Sequence, residues 1–273
     1  MKAQSDLHVE QAQLQTQGYI TLPFLRAEEC QQLTAFYFDC FPDSASAMSA
    51  SSHDADIEKR RACNNFILNI VIPHIQQRWP TLQSLGATYM TKPAGPSGIL
   101  PIHQDWTVVN EPEVCSYNLW IPLHDVDANN GTIRIIPGSH KWSTNLRGYN
   151  LPNACESAEK WLASELEPVC LSGGDALLYD HRLIHDSALN LSATPRLVIV
   201  IGLIPIGAQL LFLKRKGTEI HRYVATPEFY LYESPENAEE QLPLLDKIPL
   251  HQETLFPPNT TRWKRFLMRF MWH

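Results

Sequence analysis

The chain has 273 residues, of which 44% are hydrophobic and 19% charged, and its formal net charge is -7. This length is enough for one large core or two modest ones, and the acidic balance argues against nucleic acid as a main partner. The N-terminus is polar with no apolar signal segment, and none of the six cysteines forms a C-x-x-C pair. We therefore expect free thiols in a cytoplasmic protein.

The first part of the chain predicts helices with one short strand among them. Apolar residues at helical spacing predict helices over residues 6–17, 28–40 and 66–79. The stretch 19–25, which follows Gly18, predicts a short strand. Residues 43–56 are rich in Ser, Ala and Asp without any apolar period, so they predict a loop.

From about residue 86 the pattern changes to short strands separated by turns rich in Gly, Pro and Asn. A longer, partly helical insertion covers residues 141–167. Eight short strands at this spacing predict a mainly β protein with flanking α-helices, built as a jelly roll or barrel. The strands are expected at 87–92, 99–103, 114–123, 132–136, 167–171, 175–179, 183–188 and 196–203.

The organisation we expect is a single domain over residues 1–273. Its jelly-roll core covers about 87–204, with N-terminal helices in 1–86 and a C-terminal extension in 205–273. The apolar run 197–213 is shorter than the roughly 20 residues that a spanning helix needs, so it predicts a buried strand and no membrane span. Residues 261–270 predict a basic amphipathic helix, docked on the core or facing a membrane or partner.

The most informative short motif is a histidine and an aspartate two positions apart, His103 and Asp105, near the end of a predicted strand. Alternate residues of a strand point to the same face, so both side chains can reach one metal ion. With His185 they would form the two-histidine, one-carboxylate set of non-haem Fe(II) oxygenases. The triplet alone is a weak signal that also fits a surface pair, and His181 is a rival for the third ligand.

A second group of candidates lies near His185. If the strands of His185 and Arg196 form a hairpin, Arg196 lies across from Ser187. A buried arginine needs an anion, and a dicarboxylate would fit it, whereas a surface arginine is the alternative. Asn118 and Trp120 share one face of their predicted strand, so they face either solvent or a ligand, and in the second case both are candidates for a cofactor pocket.

The order and spacing of these motifs resemble the phytanoyl-CoA dioxygenase family over roughly residues 87–204. The resemblance is carried by His103 to Trp120, Asn129-Asn130-Gly131, Pro137-Gly138-Ser139-His140, Gly173-Gly174-Asp175, His185-Asp186-Ser187 and Arg196. It implies a double-stranded β-helix and a dependence on Fe(II), 2-oxoglutarate and O2.

By this resemblance the iron ligands are His103, Asp105 and His185. Arg196 matches the arginine that binds the distal carboxylate of 2-oxoglutarate, and Ser187 matches a residue that assists it. A carboxylate at position 105 argues against halogenation, because related halogenases carry a small residue there. Two further positions match the cofactor pocket, namely Trp120 and Thr88.

The activity that the resemblance implies is oxidation, chiefly hydroxylation, of an aliphatic C–H in a small-molecule substrate, with release of succinate and CO2. Trp106, Thr107 and the segment 43–66 are predicted to contribute to the substrate pocket. The alternative is a jelly-roll metalloprotein whose metal acts as a Lewis acid in an isomerase or hydrolase without O2 chemistry. The sequence does not predict the substrate or the oligomeric state.

Overall fold

A computed structural model describes residues 2–42, 47–95, 98–142 and 145–250 of the chain. The α-helices in these ranges are α1 (Lys2–Gln17), α2 (Ala27–Cys40), α3 (Ile57–Arg78), α4 (Glu159–Glu165), α5 (Pro227–Tyr232) and α6 (Ala238–Gln241). The strands are β1 (Tyr19–Pro23), β2 (Ser49–Ala50), β3 (Leu82–Lys92), β4 (Leu100–His103), β5 (Tyr117–Pro122), β6 (Ile133–Ile135), β7 (Glu167–Pro168), β8 (Asp175–Asp180), β9 (His185–Ser187), β10 (Arg196–Pro205), β11 (Leu211–Lys216), β12 (Glu219–Val224) and β13 (Leu244–Pro249).

Two antiparallel sheets form the centre of the fold. The major sheet has the strand order β1-β8-β5-β10-β3-β2, and the minor sheet has the order β4-β9-β6-β7. Apolar side chains of both sheets pack into one cluster, for example Leu177 and Val198 from the major sheet and Ile133 and Ile135 from the minor sheet. This is a jelly roll, as the sequence predicts.

The opposite face of the major sheet is covered by α2 and α3. Tyr89 and Ile199 pack there against Leu33 and Ile67, and all four side chains are buried. Strands of the major sheet are therefore buried on both faces, which explains why β10 reads as a continuous apolar run. The prediction of a buried strand in this stretch is confirmed. None of the helices within the described residues is both long and apolar enough to cross a bilayer.

Two predicted boundaries in the N-terminal part were wrong. Helix α3 begins at Ile57 rather than at residue 66, because Asp56 caps it and accepts a hydrogen bond from the Glu58 amide at 2.9 Å. Its first turns are polar and therefore carry no apolar period. Strand β2 lies within the segment predicted as a loop, where it pairs with β3 at the edge of the major sheet.

The central sheets also extend beyond the predicted limits of 87 and 204. β1, which falls in the stretch assigned to N-terminal helices, pairs with β8, and β3 begins at Leu82. The extension after residue 205 contains a three-stranded sheet, β11-β12-β13, that the sequence did not indicate. Its strands lack a clear alternation, since β11 buries its first four residues and exposes its last two, while β13 is mostly exposed. The helix predicted over 261–270 lies outside the described residues.

Candidate metal centre

Three potential ligands converge at one end of the minor sheet. His103 ends β4 and is paired in register with His185, the first residue of β9, while Asp105 lies two residues beyond the end of β4. The Nε2 atoms of His103 and His185 each lie 3.8 Å from a carboxylate oxygen of Asp105. One ligand atom from each residue can be chosen so that all three lie within 4.8 Å of one another. A divalent cation between them would therefore meet two imidazoles and a carboxylate.

Backbone carbonyls orient both imidazoles. The Nδ1 of His103 donates to the Pro101 carbonyl at 2.8 Å, and the Nδ1 of His185 donates to the Leu183 carbonyl at 2.9 Å. With the proton held on Nδ1, the lone pair of each ring is on Nε2, on the side of Asp105. This is the arrangement that protein metal sites use to fix a ligating histidine, so the donor set fits a metal ion.

The electrostatics of the site favour the protonation states that a metal requires. Burial, together with the nearby His185, lowers the pKa of His103 to about 4. Burial alone would raise the pKa of Asp105, but the surrounding imidazoles outweigh it and hold that pKa below its ordinary value. Neutral imidazoles and an ionised carboxylate are the forms that bind a cation. Asn118 donates from Nδ2 to the same carboxylate at 2.9 Å and so helps to orient it.

Arg196 is a buried cation without a carboxylate partner among the described residues. Its side chain is 1% exposed, and it donates from one terminal nitrogen to the Gly131 carbonyl at 2.6 Å and to the Ser187 hydroxyl at 3.1 Å. Its Nε is buried with no hydrogen-bond partner, and the guanidinium lies 5.5 Å from the centre of the Trp120 ring. Burial lowers the pKa of Arg196 to about 10. Such a group is incomplete without an anion.

Arg196 and Ser187 are close to each other, as predicted, but their strands do not form the hairpin on which that prediction depended. β9 pairs with β4 and β6 in the minor sheet, whereas β10 pairs with β3 and β5 in the major sheet. The residues between β9 and β10 thus cross from one sheet to the other, as connections in a jelly roll do. Arg196 reaches Ser187 across the interior, and the hairpin was wrong.

Lys92 is a second buried cation in this region, which sequence reasoning missed. It is paired in register with Arg196 on neighbouring strands and is 0% exposed. Its ammonium donates to the Ser187 carbonyl at 2.8 Å and also to the Ala188 carbonyl. Burial, and then the charge of Arg196, lower the pKa of Lys92 to about 7. The available signal was its even spacing from Thr88 along a predicted strand, which places it on the inner face.

A cavity of about 440 Å³ opens beside the three potential ligands, lined by His103, Asp105 and Asn118 among others. Trp106 lines it, as predicted for a substrate contact, and so do Tyr230 and the rival histidine His181.

Three other predicted contacts lie elsewhere. Thr107 is buried outside this cavity, where its hydroxyl accepts a hydrogen bond from the Arg147 amide at 3.2 Å. The hydroxyl of Thr88 accepts from the Ser52 amide at 3.0 Å, and so anchors the segment after β2. Residues 48–55 of the predicted pocket segment line a separate cavity of about 620 Å³.

Comparisons with known proteins agree with this geometry. The family model described as "Phytanoyl-CoA dioxygenase (PhyH)" matches residues 14–198. A phytanoyl-CoA dioxygenase 1 from Oryza sativa subsp. japonica is 31% identical over 114 residues, which are 40% of this chain and 40% of that protein. A phytanoyl-CoA dioxygenase domain-containing protein 1 homolog from Dictyostelium discoideum is 26% identical over 119 residues, which are 41% of this chain and 42% of that protein. The matches thus span about two fifths of these two relatives.

Solved structures share the fold. The α-ketoglutarate-dependent carbocyclase SnoK of nogalamycin biosynthesis aligns with a TM-score of 0.60 at 18% identity, covering 91% of this chain and 94% of SnoK. The epimerase SnoN, solved with Fe3+, α-ketoglutarate and nogalamycin RO, aligns with a TM-score of 0.55 at 19% identity, covering 76% of this chain and 86% of SnoN.

Proposed function

Because the chain belongs to the phytanoyl-CoA dioxygenase family of Fe(II)- and 2-oxoglutarate-dependent oxygenases, we propose that it oxidises an aliphatic C–H of a small-molecule substrate. Hydroxylation is the reaction that we propose, with O2 as co-substrate and with release of succinate and CO2. The single observation that carries the proposal is the convergence of His103, Asp105 and His185, whose ligand atoms lie within 4.8 Å of one another.

In this proposal His103, Asp105 and His185 hold Fe(II) on one side and leave its other positions to ligands from the cavity. Bound Fe(II), 2-oxoglutarate and O2 together supply the oxidising chemistry. The protein's own contribution is to orient both imidazoles through the Pro101 and Leu183 carbonyls. These contacts also keep the ring protons on Nδ1, away from the metal.

Arg196 would bind the distal carboxylate of 2-oxoglutarate, with Ser187 beside it and Trp120 beneath the guanidinium. Its unpartnered Nε and its lack of an ion pair within the described part of the chain support this role. They also favour an oxygenase over a Lewis-acid isomerase or hydrolase, since that chemistry needs no buried guanidinium near the metal. All six cysteines are unpaired, which supports a further proposal, that the protein works in the reducing cytoplasm.

The proposal can be tested with and without turnover. We expect Fe(II) and 2-oxoglutarate, mixed anaerobically with the protein, to give a visible charge-transfer band, which His103→Ala abolishes. His53→Ala is the control, because His53 is exposed and lies outside the site. Succinate release under O2 that depends on an added substrate is expected from the native protein and from His53→Ala. Activity that persists without O2 or 2-oxoglutarate would contradict the proposal.

A further inference from the structure

The major sheet contributes one tyrosine to the surroundings of the candidate metal centre. Tyr179, on β8, is 3% exposed and packs in the cluster between the two central sheets. Its ring lies 5.0 Å from the ring of His185 in an edge-on arrangement. Since His185 belongs to the minor sheet, Tyr179 reaches the potential ligands from the opposite side of the jelly roll.

Tyr179 and Asn118 are neighbours on adjacent strands of the major sheet. They are paired in register on β8 and β5, so their side chains lie on the same face of the sheet. The Nδ2 atom of Asn118 carries two protons and has an acceptor for each of them. It lies 2.9 Å from a carboxylate oxygen of Asp105 and 3.4 Å from the Tyr179 hydroxyl.

The Tyr179 hydroxyl keeps its own proton. Burial, followed by the negative charge of Asp105, raises the pKa of Tyr179 well above its ordinary value. Because the hydroxyl oxygen accepts from Asn118, its proton remains to be donated, and the Asp105 carboxylate is the group that accepts it. An amide and a phenol on the major sheet therefore both act on the single carboxylate among the potential ligands.

The carboxylate depends on these two side chains more than the imidazoles do. Backbone carbonyls orient His103 and His185, whereas no backbone amide in the described part of the chain donates to the Asp105 carboxylate. Side chains that hydrogen-bond a metal ligand set its orientation and the strength of metal binding. A phenylalanine at position 179 would fill the same apolar space, so it is the hydroxyl that needs an explanation.

From these contacts we propose that Tyr179 is a positioning residue of the metal centre. Its hydroxyl holds the Asn118 amide and the Asp105 carboxylate in the orientation in which that carboxylate meets the metal. Tyr179 itself does not bind the metal. This inference rests on the proposed function, since it assigns Asp105 to the metal of that reaction.

The test measures binding of Co(II) to the full chain, because the visible absorption of this divalent ion changes with the geometry of its ligands. Tyr179→Phe keeps the ring beside His185 and removes only the hydroxyl. We expect Co(II) to bind this variant about tenfold more weakly than the native protein, and the visible bands of bound Co(II) to shift. The dissociation constant of 2-oxoglutarate at saturating Co(II) should stay unchanged.

Tyr89→Phe is the matched control. Tyr89 is 0% exposed, and its hydroxyl donates to the Leu33 carbonyl at 3.0 Å on the helix-covered face of the same sheet. This variant also loses a buried hydroxyl and should be less stable than the native protein. Its Co(II) affinity and its Co(II) spectrum should nevertheless be native, since the hydroxyl is remote from the potential ligands.

Asn118→Leu removes the other member of the pair. Leucine is similar in size but cannot donate, so this variant should also weaken Co(II) binding about tenfold or more. Since Tyr179 acts in part through Asn118, the two changes together should weaken binding by less than the product of their separate effects. Effects that multiply in full would overturn the inference, and so would native Co(II) affinity in Asn118→Leu alone.

Two results with Tyr179→Phe would also overturn the inference. One is an unchanged Co(II) affinity with an unchanged spectrum, as expected for a tyrosine that only fills the core. The other is weaker binding of 2-oxoglutarate with native Co(II) affinity, which would assign the hydroxyl to the cosubstrate. A native protein that binds Co(II) but not 2-oxoglutarate would contradict the proposed function alone, because the Co(II) affinities would still decide the role of Tyr179.

Discussion

Arg196 and Lys92 place two positive charges side by side in the interior of the jelly roll. They are paired in register on β10 and β3, and Asp186, the acidic group whose charge acts on Lys92, already accepts two hydrogen bonds from Arg134. Two buried cations with so little compensation are unfavourable for folding, and they favour the binding of a dianion. The dianion that we expect to bind there is 2-oxoglutarate.

Replacing Arg196 should affect binding more than folding. We expect Arg196→Met to weaken 2-oxoglutarate binding roughly 100-fold, because two charge-assisted hydrogen bonds are lost. The unliganded variant should be as stable as the native protein or more stable, since a desolvated charge is removed. Calorimetric titration and chemical denaturation measure the two effects. Arg222→Met, at an ion pair with Asp246 in the C-terminal sheet, should leave 2-oxoglutarate affinity unchanged.

Lys92 should make that binding depend on pH. Without an anion its pKa is about 7, partly because Arg196 repels the proton. A carboxylate that neutralises Arg196 removes this repulsion, so we expect proton uptake on 2-oxoglutarate binding above pH 7 and weaker binding as pH rises. Calorimetry in buffers of different ionisation enthalpy measures the uptake. Lys92→Met should abolish it; uptake that persists in this variant would contradict the assignment.

The residues that sequence alone could indicate are those whose spacing carries the information. Alternation along a strand places His103 and Asp105 on one face, and the distance from His185 to Arg196 matches a known motif. Lys92 carries only the weaker signal of its even spacing from Thr88. Its importance depends on its complete burial beside Arg196, and this depends on which strands become neighbours in the folded chain.

At the scale of elements, most strands of the two central sheets were predictable because turns rich in Gly, Pro and Asn separate them, whereas β2 was not. The start of α3 was not, since its first turns are polar and solvent-facing. The C-terminal sheet was missed because β11 to β13 bury only part of their residues, so their apolar pattern is weak. That sheet nonetheless supports the cavity, because α5, which packs against it, supplies the lining residue Tyr230.

Packing between α5 and the C-terminal sheet should contribute substantially to stability. Phe229 is 3% exposed, and its ring lies 4.9 Å from that of Phe212 in an edge-on arrangement. We expect Phe229→Ala to lower the free energy of unfolding by about 3 kcal/mol, measured by chemical denaturation. Phe38→Ala is the matched control, since Phe38 is 47% exposed and should change stability by no more than about 0.5 kcal/mol.

At the scale of the whole molecule, we propose that the chain is a single domain. The major sheet is shared by the helix-facing core and by the core between the sheets, so neither core can unfold alone. We therefore expect one cooperative unfolding transition in urea, with the same midpoint by tryptophan fluorescence and by far-ultraviolet circular dichroism. Two separate midpoints would contradict a single domain.

The two halves of the site belong to different sheets. The minor sheet and the residues directly after it carry His103, Asp105 and His185, whereas the major sheet carries Arg196. A 2-oxoglutarate molecule that is held both by the metal and by Arg196 would join the two sheets and restrain their relative motion. Amide hydrogens of β9 and β10 should therefore exchange with deuterium more slowly when 2-oxoglutarate is bound, although their own hydrogen bonds do not change.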